Sequence, residues 1–238
     1  MIQPRFVLIN TSHPGNIGAV ARAMKNMGLQ ELHLVEPQQF PSAEATARAS
    51  GADDLLAAAR CYNSLDDAIG DAVMVIGASA RSRTLPMSTL DPRACAALVA
   101  AQAEPDRTAI LFGRERTGLT NEELDRCHYL VQIPANPDYP SLNIAAAAQV
   151  LAYELRMTEL GQQQSADEPL ETDFATDQQL EQFYEHLQQT LVELEFLDPR
   201  QPKHLMRRLR RLFTRARLDQ KEVNILRGIL TAAGKKTR

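Results

Sequence analysis

The chain lacks several features that would have classified it on first reading. No apolar run approaches the roughly 20 residues that cross a bilayer, so no membrane association is expected. Its cysteines, Cys61, Cys95 and Cys127, are odd in number, scattered and without CxxC spacing. They support neither a disulfide framework nor a zinc site, and read as reduced, buried thiols of a cytoplasmic protein. Met1 to Arg5 lead directly into a strand-like run with no signal-peptide pattern, which also points to the cytoplasm. His13, His33, His128, His186 and His204 show no ligand spacing, so no metal is expected. GxGxxG is missing too, as is an acidic ribose ligand about 20 residues beyond it, which argues against a dinucleotide-binding dehydrogenase.

Charge of one sign is absent over long stretches. Residues 161–198 contain ten acids and no lysine or arginine, whereas residues 199–238 contain thirteen bases and two acids. Residues 1–160 hold thirteen bases and eighteen acids. The overall charge of −4 therefore conceals a C-terminal segment of net +11. Such a protein can present a basic surface to a polyanion despite an acidic pI.

Short apolar runs recur at residues 6–9, 32–35, 73–76, 109–112 and 129–133. Their length and composition suit strands buried on both faces of a parallel sheet. Helix-compatible stretches separate them at 17–27, 43–59, 65–69, 92–102 and 121–127, the last opened by the capping box Thr120-Asn121-Glu122-Glu123. The alternation predicts an α/β domain over residues 1–160, with a mostly parallel sheet and helices on both faces. Ser141 opens an alanine-rich helix that runs to about Leu160. Residues 161–176 read as a flexible acidic linker. Beyond it, residues 177–238 form a small all-α domain, in which Leu180, Phe183, Tyr184, Leu187, Leu191 and Leu194 mark the first amphipathic helix. A second spans 203–217, with Leu205, Leu209, Leu212 and Phe213 on one side, and a third covers 219–233.

Three polar, glycine-bearing segments interrupt the pattern at strand ends, where open α/β sheets bind ligands. Residues 11–22, TSHPGNIGAVAR, open a helix whose backbone N–H groups suit a phosphate. The alternative is a glycine turn built for tight packing. Arg22 follows Asn16 on that helix, either held close to the site or free at the surface. Residues 111–119, LFGRERTGL, place Arg114, Glu115 and Arg116 between two glycines. Charges there are costly unless they are paired, in a structural salt-bridge knot, or used. Residues 133–143, IPANPDYPSLN, carry three prolines, then Ser141 as a helix cap and Asn143 inside the first turn, an unusual position for asparagine.

The order NxxG…R, FGxExxG and SLN at the head of a helix resembles the three motifs of the SPOUT superfamily of RNA ribose 2′-O-methyltransferases. The fuller strings TSHPGNIGAVARAMKNMG, SARSRTLP, FGRERTGLTNEEL and NPDYPSLNIA are similar to bacterial TrmJ-type tRNA methyltransferases. The likeness continues through RRLFTRARLDQKEVNILRGIL, and so covers nearly the whole chain.

The resemblance implies a knotted α/β domain binding S-adenosyl-L-methionine. Ala78, Ser79, Ala80, Gly113, Gly118, Ile133, Pro140, Ser141, Leu142 and Asn143 would hold it. It implies a catalytic set of Arg22, Asn16, Glu115, Ser141 and Asn143, acting on the ribose of nucleotide 32, C or U, in a tRNA anticodon loop. Arg22 would bind the phosphate beside the target ribose, Asn16 would orient the ribose or Arg22, and Glu115 would fix neighbouring loops, pairing with Arg22 or Arg114. Homodimers are implied as well. Arg207, Arg208, Arg210, Arg211, Arg215 and Arg217 are expected to face the RNA while leucines dock their helix, the alternative being a charge face paired with the acidic segment. Rival readings are another tRNA position, ribosomal RNA, or a non-catalytic RNA-binding protein.

Overall fold

The computed structural model describes residues 2–80, 87–162, 173–198 and 204–235. Its strands are β1 (Arg5–Ile9), β2 (Leu32–Val35), β3 (Arg60–Tyr62), β4 (Met74–Ala78), β5 (Thr89–Leu90), β6 (Thr108–Phe112) and β7 (Tyr129–Val131). The helices of the first part are α1 (Pro14–Asn26), α2 (Ala43–Ala49), α3 (Asp53–Ala58), α4 (Leu65–Ile69), α5 (Pro92–Ala100), α6 (Asn121–Asp125) and α7 (Ile144–Gln162). Three more follow, α8 (Asp177–Glu193), α9 (Leu205–Ala216) and α10 (Gln220–Lys235). The chain divides into two compact units, Met1–Ile69 with Met74–Glu171, and Gly70–Val73 with Thr172–Arg238.

The first unit is an α/β domain whose described strand pairings are all parallel, in the order β3-β2-β1-β6-β4-β7-β5. All of β6 is buried, and so is β1 after Arg5. Alternate side chains of a strand point to opposite faces, so both faces of the sheet are covered here. That is why the central strands read as unbroken apolar runs. β3 and β5 escape such a reading because they lie at the sheet edges and carry no buried run.

Helices α2, α1, α7 and α5 pack side by side in that order. α1 starts at Pro14, before the apolar period begins, because proline's fixed φ suits the first helical position. Residues 43–59 form two helices instead of one. Ser50 turns left-handed at φ 48° and Gly51 follows at φ 93°, which ends α2. α1 and α2 approach so closely that a Cβ on Gly18 would lie 2.0 Å from the Ala45 carbonyl oxygen.

β7 lies between β4 and β5, although β4 and β5 are consecutive in the chain. Residues 81–86 of the connection between them, which include most of the SARSRTLP string and bear on the knot implied by the family likeness, lie outside the described residues.

The second unit packs α8, α9 and α10 around Leu180, Phe183, Tyr184, Leu187, Leu218 and Val223. A capping box joins Thr176 and Gln179 at the head of α8. Ala175 is buried, and its N–H donates to the Leu218 carbonyl at 2.9 Å. Residues 173–176 thus pack into this unit, and residues 163–172 of the expected linker lie outside the described residues. Among the described residues, no helix is long and apolar enough to cross a membrane.

Two glycine substitutions test this packing in opposite directions. Gly18→Ala should lower stability by about 1–3 kcal/mol through overpacking of α1 on α2. Gly228→Ala in α10, where a Cβ would meet nothing within 4 Å, should raise it by about 0.5–1 kcal/mol. Urea unfolding followed by circular dichroism would check both signs.

Candidate active site

The sheet order brings together what the sequence keeps apart. β1, β6, β4 and β7 are consecutive neighbours, and because they are parallel their carboxyl ends share one edge. The first motif follows β1, the second follows β6, Ser79 and Ala80 follow β4, and the third motif follows β7. At about 4.8 Å between strands, all four connections emerge within roughly 15 Å. Such an edge is where open α/β sheets bind ligands.

A cleft opens there. Every residue expected to contact the cofactor lines it except Asn143, and Arg114, Glu115, Arg116 and Thr117 line it as well. The second motif is folded back on itself, with the Arg114 and Gly118 backbones exchanging hydrogen bonds of 3.2 and 2.8 Å. A Cβ on Gly113 would lie 2.2 Å from the Gly118 carbonyl carbon, so only glycine fits that crossing. Gly118 has φ 67° and would point a Cβ into open space. The loop therefore offers bare backbone along the cleft wall.

Glu115 ties the three motifs together. Its Oε2 accepts from the Ser12 N–H at 3.2 Å and the Ser12 hydroxyl at 3.0 Å. Its Oε1 accepts from the His13 N–H at 3.2 Å and from Asn16 Nδ2 at 2.9 Å. Asn16 Oδ1 in turn accepts from Asn143 Nδ2 at 3.0 Å, and Asn143 Oδ1 accepts from the Ala145 N–H at 2.8 Å. A carboxylate can only accept. It therefore sets which end of the Asn16 amide faces it, which sets Asn143, whose oxygen is left facing the orphan N–H groups of α7.

Several expectations change as a result. Asn143 is the cap of α7, not a residue of its first turn, so asparagine is the ordinary choice there. The backbone N–H groups of Ser12 and His13 hold the Glu115 carboxylate, not a phosphate. Glu115 is hydrogen-bonded to the first motif and does not pair with Arg22 or Arg114. Arg114 instead gives both oxygens of Glu123 hydrogen bonds of 2.8 and 3.1 Å. Glu123 also closes the capping box on Thr120. His13, and in part Ser12, went unnoticed as contributors because they act through backbone N–H groups, which leave no trace in composition, while the Ser12 hydroxyl adds one further bond.

The cations divide into tied and untied. Arg22 on α1 and Arg116 at the cleft are exposed, and neither side chain has a hydrogen-bond or ion-pair partner among the described residues. In the second unit, Arg210 pairs with Glu181 and stacks 4.5 Å from the Tyr184 ring centroid, while Arg217 lies 4.1 Å from that of Phe174. Arg208 and Arg215 are exposed, whereas Arg207 and Arg211 are half-buried. Leu212, expected on the docking stripe, is 48 % exposed. The contacts of α9 are made instead by Met206, Leu209 and Phe213.

Burial raises the Glu115 carboxyl, but hydrogen bonds from Asn16, its own backbone N–H, His13 and Ser12 outweigh burial and hold it at about 2, against an ordinary 4.5. The folded value is the lower one. The network's stabilisation is therefore complete above about pH 4.5 and is lost as pH falls towards 2. A carbon-detected NMR titration of Glu115 should give a midpoint far below 4.5, with the Ser12 and His13 amide shifts moving in step. A midpoint near 4.5 would mean that the network is not formed in solution.

Comparison with known proteins bears on this arrangement. The model of the SpoU rRNA Methylase family matches residues 3–153, and that of the tRNA methyltransferase TrmJ C-terminal domain matches residues 178–238. The tRNA (cytidine/uridine/adenosine-2′-O-)-methyltransferase TrmJ of Pseudomonas aeruginosa is 51 % identical, over 98 % of this chain and 95 % of its own. The tRNA (cytidine/uridine-2′-O-)-methyltransferase TrmJ of Pectobacterium atrosepticum is 50 % identical, over 97 % and 96 %. The crystal structure of TrmJ from Z. mobilis superposes with a TM-score of 0.83 at 31 % identity, covering 96 % of this chain and 98 % of that one. With the site's three motifs joined in one network and both family models matched in sequence order, the chain belongs to the SpoU methylase family, in its TrmJ branch.

Proposed function

We propose that this chain transfers a methyl group from S-adenosyl-L-methionine to the ribose 2′-hydroxyl of nucleotide 32, C or U, in the anticodon loop of tRNA. The observation that carries the reading is the Glu115–Asn16–Asn143 network, which joins the three motifs beside a cleft. The cleft suits the cofactor. Ala78, Ile133 and Leu142 give an adenine ring apolar walls, Ser79 and Ser141 add polar groups, and the Cβ-free backbone at Gly118 leaves room for close approach. Near-full-length likeness to enzymes named for tRNA 2′-O-methylation supports the substrate. Position 32 rests on the TrmJ likeness.

When bound, S-adenosylmethionine supplies a methyl already activated on a sulfonium. The protein's own task is to align the ribose oxygen and to relieve it of its proton. A guanidinium is a poor proton acceptor, so the part of Arg22 is to hold the phosphate beside the target ribose, and that phosphate or a water takes the proton. Asn16 is hydrogen-bonded through both amide atoms, and Glu115 accepts four hydrogen bonds. Both therefore position the loops around Arg22 and the cleft, and Asn143 anchors the third loop to them. Ser141 lines the cleft beside them.

Residues 1–160 would hold the chemistry and residues 177–238 would select the RNA, through Arg208 and Arg215 and the remaining arginines of α9. A cytoplasmic homodimer completes the proposal. Tyr153, Met157 and Leu160 lie on one side of α7 and are 48 %, 43 % and 38 % exposed, an apolar stripe that a second copy would cover.

Two measurements test this reading. With tRNA and radiolabelled S-adenosylmethionine, Arg22→Ala should lose at least about 100-fold in turnover while still binding tRNA. Near-wild-type turnover would refute the role given to Arg22, and a methyl mapped to another nucleotide would refute position 32. Arg208→Gln and Arg215→Gln should each flatten the salt dependence of tRNA binding by about one unit of log–log slope. Unchanged slopes would free α9 of that role.

A further inference from the structure

The third motif places a large aromatic ring in solvent beside the cleft. Tyr139 is 79 % exposed and does not line the cleft, although Pro140 and Ser141, the next residues, do. The ring therefore lies outside both the cleft wall and the core.

Its position is held firmly from below. Asn136 to Tyr139 form a turn closed by the Tyr139 N–H donating to the Asn136 carbonyl at 2.9 Å, with Pro137 at the second position. The Asn136 side chain tightens that turn by accepting from the Asp138 N–H at 3.0 Å. Pro134 and Pro140 stiffen the chain on either side. At its far end the loop is anchored by Asn143 through Asn16 to Glu115. A tyrosine has only two side-chain torsions to restrain, so a ring on such a base loses little entropy when something stacks on it.

The surroundings indicate what stacks. Arg116, exposed at the cleft, and Arg22, exposed on α1, are cations without partners among the described residues. An exposed ring on a loop that lines the cleft, with untied cations at the cleft and on α1, has the composition of a single-stranded nucleic-acid site, where rings take bases and cations take phosphates. We propose that Tyr139 is a base-stacking residue. It takes the face of the target nucleobase, or of its immediate neighbour, and so holds the target ribose over the cleft. The inference rests on the tRNA methylation proposed above. Stacking accepts any base face, so Tyr139 contributes affinity and positioning with little choice between bases.

The test uses the full chain and an anticodon stem-loop carrying 2-aminopurine in the target position or next to it. Binding to the wild type and to Tyr139→Phe should quench the fluorophore, and binding to Tyr139→Leu or Tyr139→Ala should not. The same two variants should lose about 10-fold or more in kcat/KM for tRNA, with Phe near wild type and S-adenosylmethionine affinity unchanged in all. Leu performing as well as Phe would overturn the proposal, since Leu keeps the apolar bulk and loses only the ring face. Loss of the dimer on ultracentrifugation, or loss of cofactor affinity, would also overturn it by assigning the ring to a second copy or to the cleft. A wild type that neither binds nor methylates tRNA would instead bring down the proposed function. A wild type that methylates normally while the variants do too would bring down only the role of Tyr139.

Discussion

The carboxylate of Glu115 is the constraint on which the rest of the site depends. It is half-buried and ionised, a combination that costs free energy unless hydrogen bonds replace the lost water. Ser12, His13 and Asn16 supply four of them, and all come from the first motif. Meeting that requirement pins the loop after β6 to the start of α1. It also orients the Asn16 amide, which passes the constraint to Asn143 and so to the start of α7. One acceptor-only group thus fixes two asparagine rotations, two helix starts and the relative position of three loops.

The sheet makes this possible at short range. The chain runs outward from β1 to β2 and β3, then crosses to build β4 to β7 on the other side of β1. β6 slots in beside β1, so the second motif arises next to the first although about a hundred residues separate them in sequence. β7 slots in beside β4, which brings the third motif alongside. Close packing of α1 against α2 at Gly18 holds the helix that carries Asn16 and Arg22. The second unit carries most of the charge segregation. Its acidic and basic stretches partly neutralise each other, as Arg210 with Glu181 shows, and the arginines left exposed are fewer than the sequence count suggests.

Much of this was legible in the amino-acid order, and the remainder was hidden for physical reasons. Strands buried on both faces announce themselves as apolar runs, so β1, β2, β4, β6 and β7 were visible, while the edge strands β3 and β5 were not. Thr120 and Glu123 form the capping box that their spacing predicts, and Thr176 with Gln179 carries the same kind of signal where the segment read as linker ends. The break at Ser50 and Gly51 was obscured by the good helix formers on either side. The three segments stood out as polar interruptions at strand ends, but that they belong to one site emerged only through likeness to a family, because loops from distant strands share no local pattern. Glu115 stood out as a charge that had to be paired or used, but its partners did not, since two of its four hydrogen bonds come from backbone N–H groups. Arg22 is the reverse case. It lies on α1 where the motif puts it, exposed and without a hydrogen-bond or ion-pair partner among the described residues, which suits the phosphate-binding role proposed for it.

The claim that one network assembles the cofactor cleft is tested most directly by a double-mutant cycle between Glu115 and Asn143. These residues do not touch; Asn16 lies between them. S-adenosylmethionine affinity would be measured by calorimetry for the wild type, Glu115→Ala, Asn143→Ala and the double variant. If Glu115 acts on the third motif through Asn16, either single change breaks the same chain of hydrogen bonds. The double variant should then lose little more affinity than the worse single one. Losses that simply multiply would mean that the two residues act independently, and would contradict a cleft held together from Glu115.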